Sequence, residues 1–263
     1  MGIRIEIPVI LAFGGLDPTG GAGIQMDARA ACAAGAHACA VASCITMQTT
    51  TTFSRFAAIP RDILEESLGC AGKSFRIGAV KVGMVGTRAA AEAILSFVTA
   101  RKGIPVVVDP VLRSSSGALL LAKAALPAYR RLLRRATVLT PNLMEAEKLL
   151  DRKISSFPEA VDAARELSGL TGAAVVLKGG HFPWKGRRGV DIVLSDGEAT
   201  LLPPAGSHRW DPHGTGCALA SAVAARIAAG DAVVPAAAAA KSVLGKLVAG
   251  CFPSAEGRPT LFP

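Results

Sequence analysis

Aromatic residues are scarce, at 5% of 263 positions, so a chain with a formal net charge of +9 lacks the side chains on which nucleic-acid bases would stack. Nor are its basic residues gathered into a groove. Arg130, Arg131, Arg134 and Arg135 fall in pairs four apart, the pattern of a solvated helix face. Nucleic acid is therefore not expected as a partner, whereas a basic balance suits a small anionic substrate such as a nucleotide. Long apolar runs are missing as well. Hydrophobic residues reach 51%, but alanine supplies much of that, and no uninterrupted stretch attains the roughly 20 residues that cross a bilayer. The N-terminal MGIRIEIPVILAFGG reads as a first core strand rather than a signal peptide, so the expectation is a cytoplasmic protein with no membrane partner. The six cysteines include no C-x-x-C pair, and a chain of this length does not need disulfides to hold a core. Cys32, His37, Cys39 and Cys44 cluster, yet their spacing fits no usual zinc pattern and they stand in an alanine-rich apolar stretch, so packing is the expected role. Linkers, low-complexity tracts and internal repeats are absent too, and residues 1–263 are read as one domain.

What is present is an alternation. PVILAF (8–13), ACAVASCI (38–45), IGAVKVG (77–83), IPVVVDP (104–110), ATVLTP (136–141) and AAVVLKGG (173–180) read as buried strands. Helical patterns fall at roughly 23–34, 60–74, 87–101, 121–134, 143–150 and 158–169, with two alanine-rich helices at about 215–229 and 232–250. Apolar strands separated by helices imply an α/β fold with a mostly parallel sheet covered on both faces. Asp196-Gly197 between two apolar runs signals a hairpin, hence an antiparallel edge.

In such sheets ligands sit beyond the carboxyl ends of the strands, where this chain carries its unusual loops. GGLDPTGGAGIQMD (14–27) is glycine-dense but does not fit the dinucleotide frame. SLGCAGKS (67–74) ends like a P-loop, yet Ser67 occupies the first glycine position and a helix precedes it where a strand is required. HGTGC (213–217) differs from both. Gly214 and Gly216 permit a tight turn, and the helix that follows leaves its first N–H groups and positive dipole end open to a phosphate. A glycine turn ahead of a core helix would look the same. Cys217 at that helix start either has a thiol pKa lowered by the dipole and by cations, and so serves as a base, or is inert. Asn142 and Glu145, three apart, are either a pair that organises water around magnesium or an N-cap with a first-turn glutamate. Lys178, at a strand end before two glycines, would neutralise nucleotide phosphate or be simply solvated.

The ordered set GGLDPTGGAGIQMD, ITMQTTTT, VKVGMVGT, VVVDPVLR, LTPNLMEAEKLL, VVLKGGHF and DPHGTGCALASAVAARIAAG resembles the hydroxymethylpyrimidine and phosphomethylpyrimidine kinases of thiamine biosynthesis, over nearly the whole chain. The resemblance implies a ribokinase-like three-layer sandwich, ATP and Mg2+ as cofactors, a small-molecule pyrimidine substrate and a homodimer. It implies that Gln48 hydrogen-bonds the pyrimidine, with Gly15, Ala22, Asp27, Met84 and Val111 lining the pocket. An amide, both donor and acceptor, matches an aminopyrimidine edge. Asn142, Glu145 and Lys178 would serve magnesium, with Asn142 and Glu145 holding it through water, and the ATP phosphates, while Gly214, Thr215 and Gly216 form the anion hole beside Cys217. Many ribokinase relatives carry aspartate where this chain and the pyrimidine kinases carry cysteine. Arg113 and the serine run after it depart from the more apolar residue common in that family, leaving Arg113 either an aid to a phosphorylated intermediate or a solvated loop residue. Two other readings stay open: a pyridoxal kinase, and a basic ligand- or nucleic-acid-binding protein on the same fold without turnover.

Overall fold

The computed structural model describes residues 6–114, 117–206 and 212–262. The chain begins with β1 (Val9–Leu16), α1 (Gly23–Ala33), β2 (His37–Gln48) and β3 (Phe53–Ala58). Next come α2 (Arg61–Ser74), β4 (Ala79–Val82), α3 (Arg88–Thr99), β5 (Val106–Val108), α4 (Leu126–Leu133) and β6 (Val138–Leu139). α5 (Leu143–Leu150), α6 (Phe157–Thr171), β7 (Ala174–Leu177), β8 (Asp191–Ser195) and β9 (Glu198–Leu202) follow. α7 (Thr215–Ala228), α8 (Val233–Ala249), β10 (Phe252–Pro253) and β11 (Pro259–Thr260) complete it.

One sheet runs β3-β2-β1-β4-β5-β6-β7-β8-β9, and β10 pairs with β11 in a separate small ribbon. From β2 to β7 the pairing is parallel, and both edges are antiparallel hairpins. The expected hairpin at Asp196-Gly197 is present, with both residues at positive φ. The other edge strand, β3, was not foreseen. Its six residues are mostly exposed, so it lacks the continuous apolar run that marks the central strands.

Strand alternation divides the core. Leu11, Phe13, Val80, Val82, Val106 and Val108 face α2, α3, α4 and α6, whereas Ile10, Ala79, Val107 and Val138 face α7 and α8. α7 is buried at every residue from Ala218 to Ala225, and alanine is small enough to let it lie close to both the sheet and its neighbouring helices. α4 starts later than the pattern suggested because Pro127 fits only the first turn of a helix. SLGCAGKS lies inside α2, which removes its phosphate-loop reading. No group of three His, Cys, Asp or Glu side chains is placed to hold a metal ion among the described residues; in the Cys32 to Cys44 stretch, Cys32 and His37 are exposed and Cys44 is buried.

Strand order reverses beside β1: the chain steps from β1 out to β2, then returns to place β4 on the other side. That reversal opens a crevice at the carboxyl ends of β1 and β4.

Candidate active site

The loops that leave β1, β4, β5, β6 and β7 converge with the start of α7 on a cavity of about 240 Å³. Gly15, Ala22, Asp27, Gln48, Met84, Val111, Asn142, Glu145, Lys178 and residues 214–217 all line it. A second cavity, about 820 Å³, opens between α5, α7 and α8, and the two share Asn142, Lys178, His181, Pro212, Thr215 and Gly216.

The floor is made of backbone. A Cβ on Gly15 would come within 3.3 Å of Met84 Sδ and 3.4 Å of Cys44 Sγ, so a side chain there would crowd the pocket wall. The loop after β1 is organised by Asp17, which is almost wholly buried. Its carboxylate accepts the Thr19 amide and hydroxyl, each at 2.9 Å, and the Ala22 amide at 2.9 Å. His213 Nε2 approaches it at 3.4 Å. Burial alone would raise this carboxyl, but His213, Gln48 and Thr19 outweigh it and hold the pKa at about 2.

Deeper lies an ion pair of fully buried partners. Lys81 Nζ donates to Asp27 Oδ1 at 2.7 Å, and the Ser221 hydroxyl donates to the same oxygen at 2.8 Å. Asp27 Oδ2 has no hydrogen-bond partner among the described residues. Burial raises the Asp27 pKa against the opposing pull of Lys81; burial would lower Lys81, but Asp27 and its acidic neighbours raise it. A second pair borders both cavities: Lys178 Nζ lies 2.6 Å from Asp109 Oδ1 and 3.8 Å from Glu145 Oε2. Burial pushes Glu145 up to about 7, with Lys178 opposing.

Gly214, at φ 89°, is the N-cap of α7, and a Cβ there would overlap the Gly21 carbonyl oxygen. The two glycine loops therefore pack backbone to backbone. Beyond the cap, the amides of Thr215, Gly216 and Cys217 belong to the first turn and have no intrahelical acceptor. They open at the junction of the cavities, where a negative group would also meet the helix dipole.

The family model described as phosphomethylpyrimidine kinase matches residues 17–258. The chain belongs to the phosphomethylpyrimidine kinase family. It is 36% identical over 241 residues to a hydroxymethylpyrimidine/phosphomethylpyrimidine kinase of Rhizobium meliloti, covering 90% of this chain and 88% of that protein. A Mycobacterium tuberculosis protein of the same description is 33% identical, covering 97% and 94%. The chain spans about a third of the length of other curated relatives, among them a thiamine biosynthesis multifunctional protein of Corynebacterium efficiens, where the match covers 31% of that protein at 33% identity. Among solved structures, the phosphomethylpyrimidine kinase of Clostridium difficile superposes with a TM-score of 0.77 at 28% identity, covering 90% of this chain and 96% of that one. An ADP complex of Bacillus subtilis pyridoxal kinase gives 0.85 at 26% identity, with 97% of each covered. The fold is that of the ribokinase-like kinases, as the motif resemblance implied.

Against the family expectation, three placements need comment. The Cys217 thiol is not lowered by the helix start: burial pushes it up to about 11, with Lys81 and the Gly23 amide only partly opposing, because the Lys81 charge is already matched by Asp27. Asp27 borders the cavity but its side chain is sealed behind the wall on Lys81 and Ser221. Asn142 and Glu145 form a reciprocal capping box, each side chain bonded to the other's amide at 2.8 Å, and both still line the cavity. Arg113 also lines it while donating to the Gly117 carbonyl at 2.7 Å; Ser115, Ser116 and Asp211 lie outside the described residues. Asp17, Lys81, Asp109 and His213 were not singled out from sequence. Lys81 had a signal, since a charge inside the apolar run IGAVKVG must be paired to be buried.

Proposed function

We propose that the chain is a single-domain, magnesium-dependent kinase that moves the ATP γ-phosphoryl to the 5-hydroxymethyl of 4-amino-5-hydroxymethyl-2-methylpyrimidine, then a second phosphoryl to that monophosphate. The observation that carries this reading is the pair of cavities joined at the start of α7, one bordered by Gln48 and both by Lys178. The smaller would hold the pyrimidine, with Gln48 on its amino edge and Gly15, Ala22, Met84 and Val111 around the ring. The larger would hold the nucleotide.

In this reading the acceptor oxygen attacks Pγ as the bond from Pγ to the ADP oxygen breaks. The amides of residues 215–217 and the Lys178 ammonium take up the charge on the moving group. Asp109, Asn142 and Glu145 offer oxygens at the cavity edge but no closed cage, which fits a magnesium held through waters and phosphate oxygens. Magnesium, when bound, neutralises phosphate charge. Cys217, protonated at neutral pH, stands beside the acceptor hydroxyl and positions it; proton loss follows the transfer rather than driving it. The same reading makes the protein a cytoplasmic homodimer, checked by light scattering of the purified chain and by cell fractionation.

The deciding experiment measures ADP release with magnesium ATP and, at matched concentrations, hydroxymethylpyrimidine, its monophosphate or pyridoxal. Turnover with both pyrimidines is expected. Pyridoxal is included because a pyridoxal kinase superposes closely, and turnover with pyridoxal alone would replace the proposed acceptor. Inactivity with all three, together with salt-dependent nucleic-acid binding, would favour the non-catalytic reading.

A further inference from the structure

Four consecutive threonines, at 49–52, join β2 to β3 directly after Gln48, where turns ordinarily use glycine, asparagine or aspartate. Part of their hydrogen bonding is internal. The Thr49 amide donates to the Thr52 carbonyl at 2.9 Å, and Thr49 Oγ1 accepts the Thr51 and Thr52 amides at 3.3 and 3.1 Å. The rest reaches across the molecule to the β10–β11 ribbon. A single oxygen, Glu256 Oε2, accepts the Thr50 hydroxyl at 2.7 Å, the Thr51 hydroxyl at 3.0 Å and the Thr51 amide at 3.2 Å. Ser254 Oγ lies 2.9 Å from Thr50 Oγ1, and Arg258 Nη1 donates to the Thr50 carbonyl at 3.3 Å.

The backbone at Gln48 needs such support. The β2–β3 register shifts between Met47 and Gln48, so Gln48 stands at an irregularity where the ladder does not dictate where its side chain points. The same ribbon is tied on its other side to the α7 turn, because the His213 amide donates to the Pro259 carbonyl at 3.0 Å. Glu256 itself is exposed and does not line the acceptor cavity. Its hydrogen bonds reach the pocket through the threonine turn, whose residues line the cavity.

We propose that Glu256 is a positioning residue for acceptor selection: its carboxylate clasps the threonine turn and thereby presents Gln48 to the aminopyrimidine ring. This rests on the acceptor assigned above. Three donors on one carboxylate oxygen explain why the turn is built of threonine, whose hydroxyl and amide both serve the clasp.

The test pairs kinetics with amide hydrogen exchange on the ligand-free chain. Glu256→Ala is expected to speed exchange in the peptide covering residues 49–53 and to raise KM for hydroxymethylpyrimidine about tenfold, with kcat and KM for magnesium ATP within about twofold. Glu256→Gln, which keeps an acceptor oxygen, is expected to fall between Ala and wild type in both readouts. Faster exchange with unchanged acceptor KM would reduce Glu256 to a structural tie and overturn the proposal. So would unchanged exchange, or a rise in KM for ATP equal to that for the acceptor. Failure of the wild-type chain to use either pyrimidine would overturn the acceptor assignment, and the recognition role with it, whatever the exchange shows.

Discussion

Gly214→Ala tests whether the α7 turn is the phosphoryl site. A non-glycine residue held at φ 89° costs about 1 to 2 kcal/mol in backbone strain alone. Sterics add to this, since the new Cβ would overlap the Gly21 oxygen and stand 3.1 Å from the Gly21 carbon, neither of which is a flexible side-chain end. The two glycine loops must move apart. A displacement of about 1 Å at reacting groups is enough for a loss of about a hundredfold in rate. We therefore expect kcat to fall about a hundredfold or more while Tm drops by only about 2 to 8 °C, since the strain is local and the chain is long. Gly216→Ala is the comparison: its Cβ would meet the side-chain end of Lys178 at 3.2 Å rather than backbone and no positive φ is required, so the fall in kcat should be smaller. Steady-state ADP release and thermal melting on both variants decide the matter. A Gly214→Ala protein that keeps its fold and turns over within about threefold of wild type would refute the role given to this turn.

With the Cys217 pKa raised to about 11, the thiolate forms only as pH approaches that value, so site-resolved alkylation at pH 8 should be much slower than for a free thiol. Cys217→Ala should cost less than about tenfold in kcat, and a loss of a hundredfold or more would restore it as a general base. Gln48→Ala should raise KM for the pyrimidine and leave KM for ATP unchanged; equal kinetics would remove Gln48 from the pocket. Asp17 has a folded pKa of about 2, below its ordinary 3.8, so its stabilisation is present above pH 3.8 and lost as pH falls through 2. Urea unfolding should thus show Asp17→Asn about 2 kcal/mol less stable at pH 6, with the gap closing in acid; a gap independent of pH would contradict this. Lys81→Met, by leaving the Asp27 carboxyl buried without its ion-pair partner, should cost about 3 to 5 kcal/mol, and adding Asp27→Asn should recover part of it.

The central sheet was legible because its strands are continuous apolar runs, and such runs arise only where both faces are covered. β3 was not, since its mostly exposed residues carry no burial pattern, and its pairing depends on β2 projecting past the other strands to Gln48. The residues expected at the pocket do border the cavity, since loops at strand ends keep their spacing when the scaffold does, but Asp17, Lys81, Asp109 and His213, which border it too, were not singled out. The electrostatics were legible only in part. The thiol of Cys217 sits at a helix start, which from sequence left an acidified and an inert thiol both open; its depth and the prior commitment of Lys81 to Asp27 raise its pKa. Lys81 shows as a charge inside an apolar run, but its partners Asp27 and Ser221, distant in sequence, leave no local trace of their burial.

Because α7 is enclosed from Ala218 to Ala225, the proposed phosphate end of the site is anchored in the middle of the molecule, while the Gln48 end hangs on an edge hairpin. The two halves of the site therefore differ in how freely they can diverge. Residues 49–58 form the turn and edge strand of this hairpin, so on the proposed reading a segment exchange there with a pyridoxal-using relative should shift acceptor preference more than it disturbs the transfer end. On the proposed reading, the transfer end is fixed by the interior of the molecule and the acceptor end is the part left free to change.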